Sequence, residues 1–231
     1  MQTPQTIVNF TNGYYDTMTQ NFYPLPEDFD LLTLNCTSTG YNYMNLNENA
    51  TTIKQVKDYL RQILPDPVAR MRVIQFLKSC FIGQRPQNIE DRKIMNFYGS
   101  GNNGKTAFMY LISKTFGSYF TWYGSGFPKH LLYGKRLIYT HVDEVDESET
   151  KVLLVEDRIR KDNGEIFNSQ FSIINETNEQ YNNSRRIENI NFPIEFVEQP
   201  MEKNQWYVDK YFTQTKMNGW LSAFAWILLH S

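Results

Sequence analysis

The chain has 231 residues, 41% of them hydrophobic and 15% aromatic, enough for one large domain or a core with a small appendage. Its formal net charge of −2 excludes a global basic footprint, so a nucleic-acid partner would have to be held by a local patch. Two cysteines, Cys36 and Cys80, are far apart and match no metal spacing, which argues for a reducing cytoplasmic or nuclear setting rather than a secreted disulfide scaffold.

Residues 1–50 read as an irregular to β-like N-terminal extension. Ile7 to Phe10 is a short strand candidate, Asn12-Gly13 a turn signal, and Pro24-Leu25-Pro26 an extended continuation. Residues 51–90 read as a helical subdomain. Thr51 or Thr52 is placed to cap a helix carrying Ile53, Val56, Tyr59, Leu60 and Ile63 on one face. Pro65 and Pro67 break it. A second helix is expected from about Val68 to Cys80, with Met71, Ile74, Phe76 and Leu77 as apolar positions. Residues 91–200 read as an α/β core, with strands over Lys93 to Tyr98, Tyr119 to Trp122 and Leu137 to Val142. Another strand lies within Ile166 to Thr177, and one alternating stretch runs from Arg186 to Phe196. Residues 201–231 form a tail that turns helical from Lys216. Its apolar run Trp220 to Leu229 is too short to span a bilayer, so no membrane partner is expected; nor is a secretory signal evident.

Between the strand ending at Tyr98 and a good helix former at Ala107 to Lys114 stands Gly99-Ser100-Gly101-Asn102-Asn103-Gly104-Lys105-Thr106. This is a full G-x-x-x-x-G-K-[ST] phosphate loop in the strand–loop–helix context it needs. The glycines let main-chain N–H groups turn toward phosphates. Lys105 can reach the β- and γ-phosphate oxygens, the Thr106 hydroxyl can ligate Mg²⁺, and the helix N-terminus favours anions. ATP with Mg²⁺ is therefore the expected ligand.

Hydrolysis also needs a metal-holding acid and a group that orients water. The hydrophobic run Arg136 to Val142 ends in Asp143-Glu144, which gives Asp143 to the metal and Glu144 to the water; His141 is expected to pack in the strand. A polar residue ending a strand beside the loop strand can sense the γ-phosphate. Asn178 is the first candidate and Asn175 the second, against the plain alternative of an Asn-rich turn. Arg185-Arg186 precede the last core strand and read either as a solvated basic pair or as a source of charge for a neighbouring nucleotide.

These elements, in this order, resemble superfamily 3 helicases, and more closely the helicase part of the primase-helicases of large DNA viruses and some phages. The resemblance rests on Gly99 to Thr106, Lys135-Arg136-Leu137 through Asp143-Glu144, Phe171 to Asn178, and Arg185-Arg186-Ile187 to Phe192. Val8 to Gly13 with Asp16 resembles the small region that often precedes that core. The implied fold is α/β: a P-loop NTPase of AAA+-like type with a preceding small helical region. The resemblance further implies a ring, usually a hexamer, with ATP between subunits and Arg186 reaching the neighbour's γ-phosphate. It implies movement on single-stranded DNA during viral or mobile-element replication, beside a primase or other replication proteins, in the cytoplasm or nucleus of an infected host cell. The family carries a pore hairpin between the acidic and sensor motifs. Here that interval holds Arg158, Arg160 and Lys161 just before Asp162-Asn163-Gly164, a strong hairpin turn. Six such hairpins would gather roughly 18 positive charges around a channel. Val155-Glu156 stands where the family often has Gly-Gly. Two rival readings are a nucleotide-dependent assembly module without unwinding activity and a nucleoside-kinase type phosphotransferase; the second predicts an arginine-rich lid that the sequence does not offer.

Overall fold

The computed structural model describes residues 6–26, 37–141, 153, 156–160, 164–178, 180, 185–209 and 211–231. The chain opens with a small antiparallel sheet of β1 (Ile7–Phe10), β2 (Gly13–Asp16) and β3 (Asn21–Pro24). Two helices follow. In α1 (Thr51–Ile63) the five residues expected on one face are all buried, but Ala50 precedes the helix and no side chain caps it, so neither threonine has that role. In α2 (Pro67–Phe81), Pro67 does not separate the helices. It opens the second one, where its missing N–H costs nothing, and the Asp66 carboxylate accepts from the amides of Val68 and Ala69 at 3.0 and 3.2 Å. The buried face of α2 is Val73, Leu77, Cys80 and Phe81, while Met71 is exposed.

The central sheet comprises β4 (Ile94–Tyr98), β5 (Phe120–Tyr123), β6 (Leu137–His141), β9 (Ser172–Glu176) and β10 (Ile187–Asn191), with α3 (Lys105–Phe116) between β4 and β5. The short strands β7 (Arg158–Arg160) and β8 (Ile166–Asn168) are inserted between β6 and β9 as an antiparallel pair. All pairings of the five-stranded sheet are parallel, in the order β10-β4-β9-β6-β5, so its strands end together at one edge.

Side chains alternate across this sheet as strand geometry requires. Met95, Phe97, Leu137, Tyr139, Ile174 and Ile190 join buried side chains of α1, α2 and α3 in the larger cluster. On the other face Ile94, Ile138 and Ile173 pack with Leu132, Ile159, Phe167 and Phe171. On this second face the register sets Ile187, Ile94, Ile173 and Ile138 in one row across four strands. Two residues nearer the carboxyl edge the next row is Asn189, Asn96, Asn175 and Thr140. Asn96 donates to Asn189 at 2.9 Å, Asn175 donates to Asn96 at 3.2 Å, and Thr140 donates to Asn175 at 3.1 Å. Each link satisfies a buried amide that would otherwise be costly.

Two expected strands divide. The stretch Ile166 to Thr177 yields β8 and β9 because Ser169 N–H bonds to Asp157 in the inserted hairpin whereas Ser172 N–H bonds to Arg136 in the central sheet. The stretch Arg186 to Phe196 yields β10 and β11 (Glu195–Val197). The ladder ends with Phe192 N–H on Tyr98 O at 2.9 Å, and Pro193 then has no N–H to continue it. β12 (Gln205–Tyr207) pairs with β11 in parallel, and the tail ends in α4 (Phe212–Thr215), a 3-10 turn over Met217–Trp220, and α5 (Leu221–His230). Among the described residues no helix is long and apolar enough to cross a membrane.

Arg136 ties the layers together. It is buried, donates to Phe81 O at 2.5 Å and Ile7 O at 2.6 Å, and lies 4.1 Å over the Tyr119 ring. The N-terminal sheet, α2 and the core thus meet on one guanidinium. Gly83, at φ +73°, leaves it room, since a Cβ there would sit 3.0 Å from Arg136 Nε.

Candidate functional site

The phosphate loop leaves the end of β4 at the carboxyl edge. Gly99 turns the chain at φ +146°, and a Cβ on it would lie 2.6 Å from Asn103 Nδ2 and 2.7 Å from Phe192 O. Asn102 (φ 58°) and Gly104 (φ 86°) take left-handed backbone. The buried Asn103 pins the loop, donating to Phe192 O at 3.4 Å and accepting from Lys105 N at 3.3 Å. Lys105 begins α3. Its N-cap Gly104 has no side chain and no acidic residue sits in the first turn, so apart from the Lys105 amide held by Asn103 the helix start is suited to an anion. The Lys105 side chain is only 4% exposed and donates from Nζ to Gly99 O at 2.7 Å. Burial pulls its pKa below the usual lysine value, and the charge of Glu176 partly offsets this. Ser100, Gly101 and Thr106 are exposed along the loop and first turn.

β9 lies directly beside β4, and β6 lies beyond it. Thr177 N–H bonds to Phe97 O at 3.0 Å, so the end of β9 is fastened next to the loop. Asn175 is buried in the polar row with its amide engaged on both sides, whereas Asn178 is exposed beyond the strand end. β6 ends at His141 in register with Glu176; Asp143 and Glu144 lie two and three residues on, outside the described residues. Among the described residues, no group of three or more His, Cys, Asp and Glu side chains gathers.

Sequence reasoning passed over Glu176, which sits between the two candidate asparagines. It is 9% exposed, faces the same side as Ile174, accepts from the Tyr139 hydroxyl at 2.6 Å and interacts electrostatically with Lys105. Strand alternation was the available signal. If Ile174 faces the loop helix, so does the residue two positions later.

Arg186 stands at the opposite edge. Its carbonyl accepts from Ile94 N at 2.8 Å where β4 begins, five residues and about 17 Å of strand from the loop. Its guanidinium lies 3.4 Å from Glu90 Oε1, and Arg185 is exposed beside it. Neither arginine stands next to the loop of its own chain.

In the inserted hairpin, Ile159 and Phe167 point inward while Arg158 and Arg160 are exposed; Lys161 lies outside the described residues. Two arginines missed from the sequence anchor its base. Arg92 Nη1 is 2.7 Å and Arg85 Nη1 3.8 Å from Asp157 Oδ1. Arg85 also donates to Glu156 O and Ser169 Oγ and lies 5.3 Å over the Phe171 ring. Burial, with the like charge of Arg92, lowers Arg85 to about 10.

No protein-family profile matches the chain. A protein of Acanthamoeba polyphaga mimivirus, named "Putative helicase L207/L206", is 30% identical over 114 residues, which is 48% of this chain and 11% of that protein. Among solved structures, the A form apo structure of the NrS-1 C terminal region is similar at a TM-score of 0.58 and 16% identity, over 82% of this chain and 48% of that one. The 305–718 form of the same region gives a TM-score of 0.59 at 16% identity, over 82% and 47%. The chain thus spans about a tenth of the mimivirus protein and about half of the NrS-1 region, with which it shares a fold.

Proposed function

We propose that this chain is the nucleotide-hydrolysing core of a DNA helicase or translocase in viral or mobile-element replication. In this reading it is an AAA+-like P-loop NTPase of the superfamily 3 type, active as a ring, probed below by its dependence on single-stranded DNA. One observation carries the reading. The loop of residues 99–106 stands at the carboxyl edge of a parallel sheet, beside the strand that ends in Glu176 and two strands from the one that leads to Asp143-Glu144. The mimivirus relative, whose name is that of a helicase, supports it from a different direction.

The residues fit a magnesium triphosphate. The left-handed loop backbone, the uncapped start of α3 and the buried Lys105 ammonium form a cradle for several negative oxygens. Thr106 and Asp143 would hold Mg²⁺, which when bound neutralises charge on the phosphates. Lys105 exchanges its bond to Gly99 O for phosphate oxygens. Glu176, held by Tyr139, keeps a counter-charge near that lysine and so steadies it. Glu144 polarises the attacking water, Asn178 orients it, and Arg186, which stands far from the loop of its own chain, acts on the nucleotide of the adjacent subunit. The exposed Arg158 and Arg160, with Lys161, track the DNA backbone.

The test is ATP turnover by the whole chain, with and without single-stranded DNA, alongside mass measurement with an ATP analogue. Turnover should rise with DNA, be lost in Lys105→Ala, and accompany ring formation. Turnover that survives Lys105→Ala would reject the site, and turnover indifferent to DNA in a monomer would reject the helicase reading.

A further inference from the structure

On the face of the central sheet away from α3, the layer of side chains nearest the carboxyl edge is polar where the layer before it is apolar. Ile187, Ile94, Ile173 and Ile138 fill one row across four strands, and Asn189, Asn96, Asn175 and Thr140 fill the next. Asn96, Asn175 and Thr140 are all buried. Burying polar groups where isoleucine already fits adds little stability, because an apolar row of the same shape packs as well or better. What such a row does fix is register. Isoleucine against isoleucine tolerates a two-residue slip of one strand along another, since side chains on one face are interchangeable. A hydrogen-bonded row does not, since the same slip orphans buried amides.

Asn96 is the hub of the row. It stands on β4 three residues before Gly99, at the root of the phosphate loop. Its Nδ2 donates to Asn189 on β10 at 2.9 Å, and its Oδ1 accepts from Asn175 Nδ2 at 3.2 Å and from the Thr177 hydroxyl at 3.3 Å. Both lone pairs of that oxygen are thereby used. The bond from Thr177 reaches past the end of β9. Thr177 is held twice to β4, by its hydroxyl on Asn96 and by its N–H on Phe97 O at 3.0 Å. Glu176 precedes it and Asn178 follows it, so both flank a point pinned to the strand that carries the loop. Thr140 extends the row to β6, the strand that leads to Asp143-Glu144.

We propose that Asn96 and Thr177 are positioning residues, through which the polar row sets β9 and β6 against β4 and so places Glu176 and Asn178 at the phosphate loop. The inference rests on the reading of residues 99–106 as a triphosphate site, and it concerns turnover rather than binding. The loop grips phosphate with its own main chain, whereas the groups that orient the attacking water are brought by the neighbouring strands. Misplacing such a group by about 1 Å can cost on the order of 100-fold in rate.

Thr177→Val removes the hydroxyl and keeps the branched shape, while Thr177→Ser keeps the hydroxyl. Both are compared with the natural full chain by steady-state ATP hydrolysis and by calorimetry with tripolyphosphate. Thr177→Val should lower kcat by about ten- to 100-fold with KM and tripolyphosphate affinity within about twofold, and Thr177→Ser should keep kcat within about threefold of the natural chain. Asn96→Ala should lower kcat at least as far, and adding Thr177→Val to it should change little more, since both break the same bond. Should Asn96→Ala fail to fold, the two Thr177 variants decide the matter alone. Unchanged kcat in Thr177→Val, equal losses in Thr177→Val and Thr177→Ser, or a fall in tripolyphosphate affinity as large as the fall in kcat would each overturn the positioning role and leave the phosphate loop standing. Tripolyphosphate binding without ATP turnover in the natural chain would do the same. If the natural chain neither binds tripolyphosphate nor turns over ATP, the loop reading falls and the positioning role with it.

Discussion

The phosphate loop and the β7–β8 hairpin, both proposed to meet anions, are built in opposite ways. At the loop the grip is main chain: two glycines and Asn102 at positive φ, the first amides of α3, and one lysine that is itself buried. At the hairpin the charges are exposed side chains, Arg158 and Arg160, and the buried cations, Arg85 and Arg92, fasten its base. Fixed dipoles in a shaped turn suit a compact, multiply charged group and are little affected by salt. Solvated guanidinium groups on a clamped frame suit a long, repetitive phosphate chain and are screened readily.

The sharpest way to break the contrast is to disturb the loop backbone without touching a charge. Gly99→Ala forces a Cβ to within 2.7 Å of Phe192 O at φ +146°. Strain of this kind is worth up to about 3 kcal/mol, so triphosphate affinity should fall on the order of 100-fold. Calorimetry with tripolyphosphate reads this directly. An unchanged affinity would mean that side chains, not main chain, hold the ligand.

A middle effect is expected at the base of the hairpin. Arg92→Ala removes a buried partner from Asp157 and leaves the fastening to Arg85, whose Nη1 lies 3.8 Å from that carboxylate. Because the Asp157 side chain is 56% exposed, the penalty should be about 2 kcal/mol, less than for a fully buried pair. Urea denaturation should register it, and proteolysis should cut first near residues 156–169. Triphosphate binding should be unaffected, since the loop lies on another edge of the sheet.

How much of this was legible depended on whether the cause was local. The loop and the α1 face were readable because each is set by a few neighbouring residues, glycine spacing and helical period, whereas the β1–β2 turn falls one residue earlier than its signal, on Thr11-Asn12, with Gly13 already paired to Phe10. Arg85, Arg92 and Arg136 were not, because each makes its contacts across the fold, Arg136 with residues 55 and 129 positions away. Net charge gave no hint that these cations are core. Glu176 fell between, visible to strand alternation but hidden among asparagines that compete for the same sensor role. The division at Pro193 was legible in principle, as a residue that ends a ladder inside an otherwise alternating run.

The smallest expected effect bears on the exposed side. Arg158→Ala with Arg160→Ala removes two outward charges from a strand whose inward residue, Ile159, stays buried. Surface changes of this kind should alter stability by no more than about 0.5 kcal/mol. Each lost phosphate contact on a single strand should flatten the dependence of log affinity on log salt by about 0.7, so the double variant should be shallower by about 1.4 per engaged subunit. At low salt the DNA affinity falls; at high salt the two proteins converge, because the contribution removed is the one that salt already suppresses. Binding of tripolyphosphate at the loop should be the same in both. A parallel drop in DNA affinity at every salt concentration would mean that the arginines shape the hairpin and do not touch phosphate, and the contrast between a backbone grip and a side-chain grip would then fail at its hairpin end.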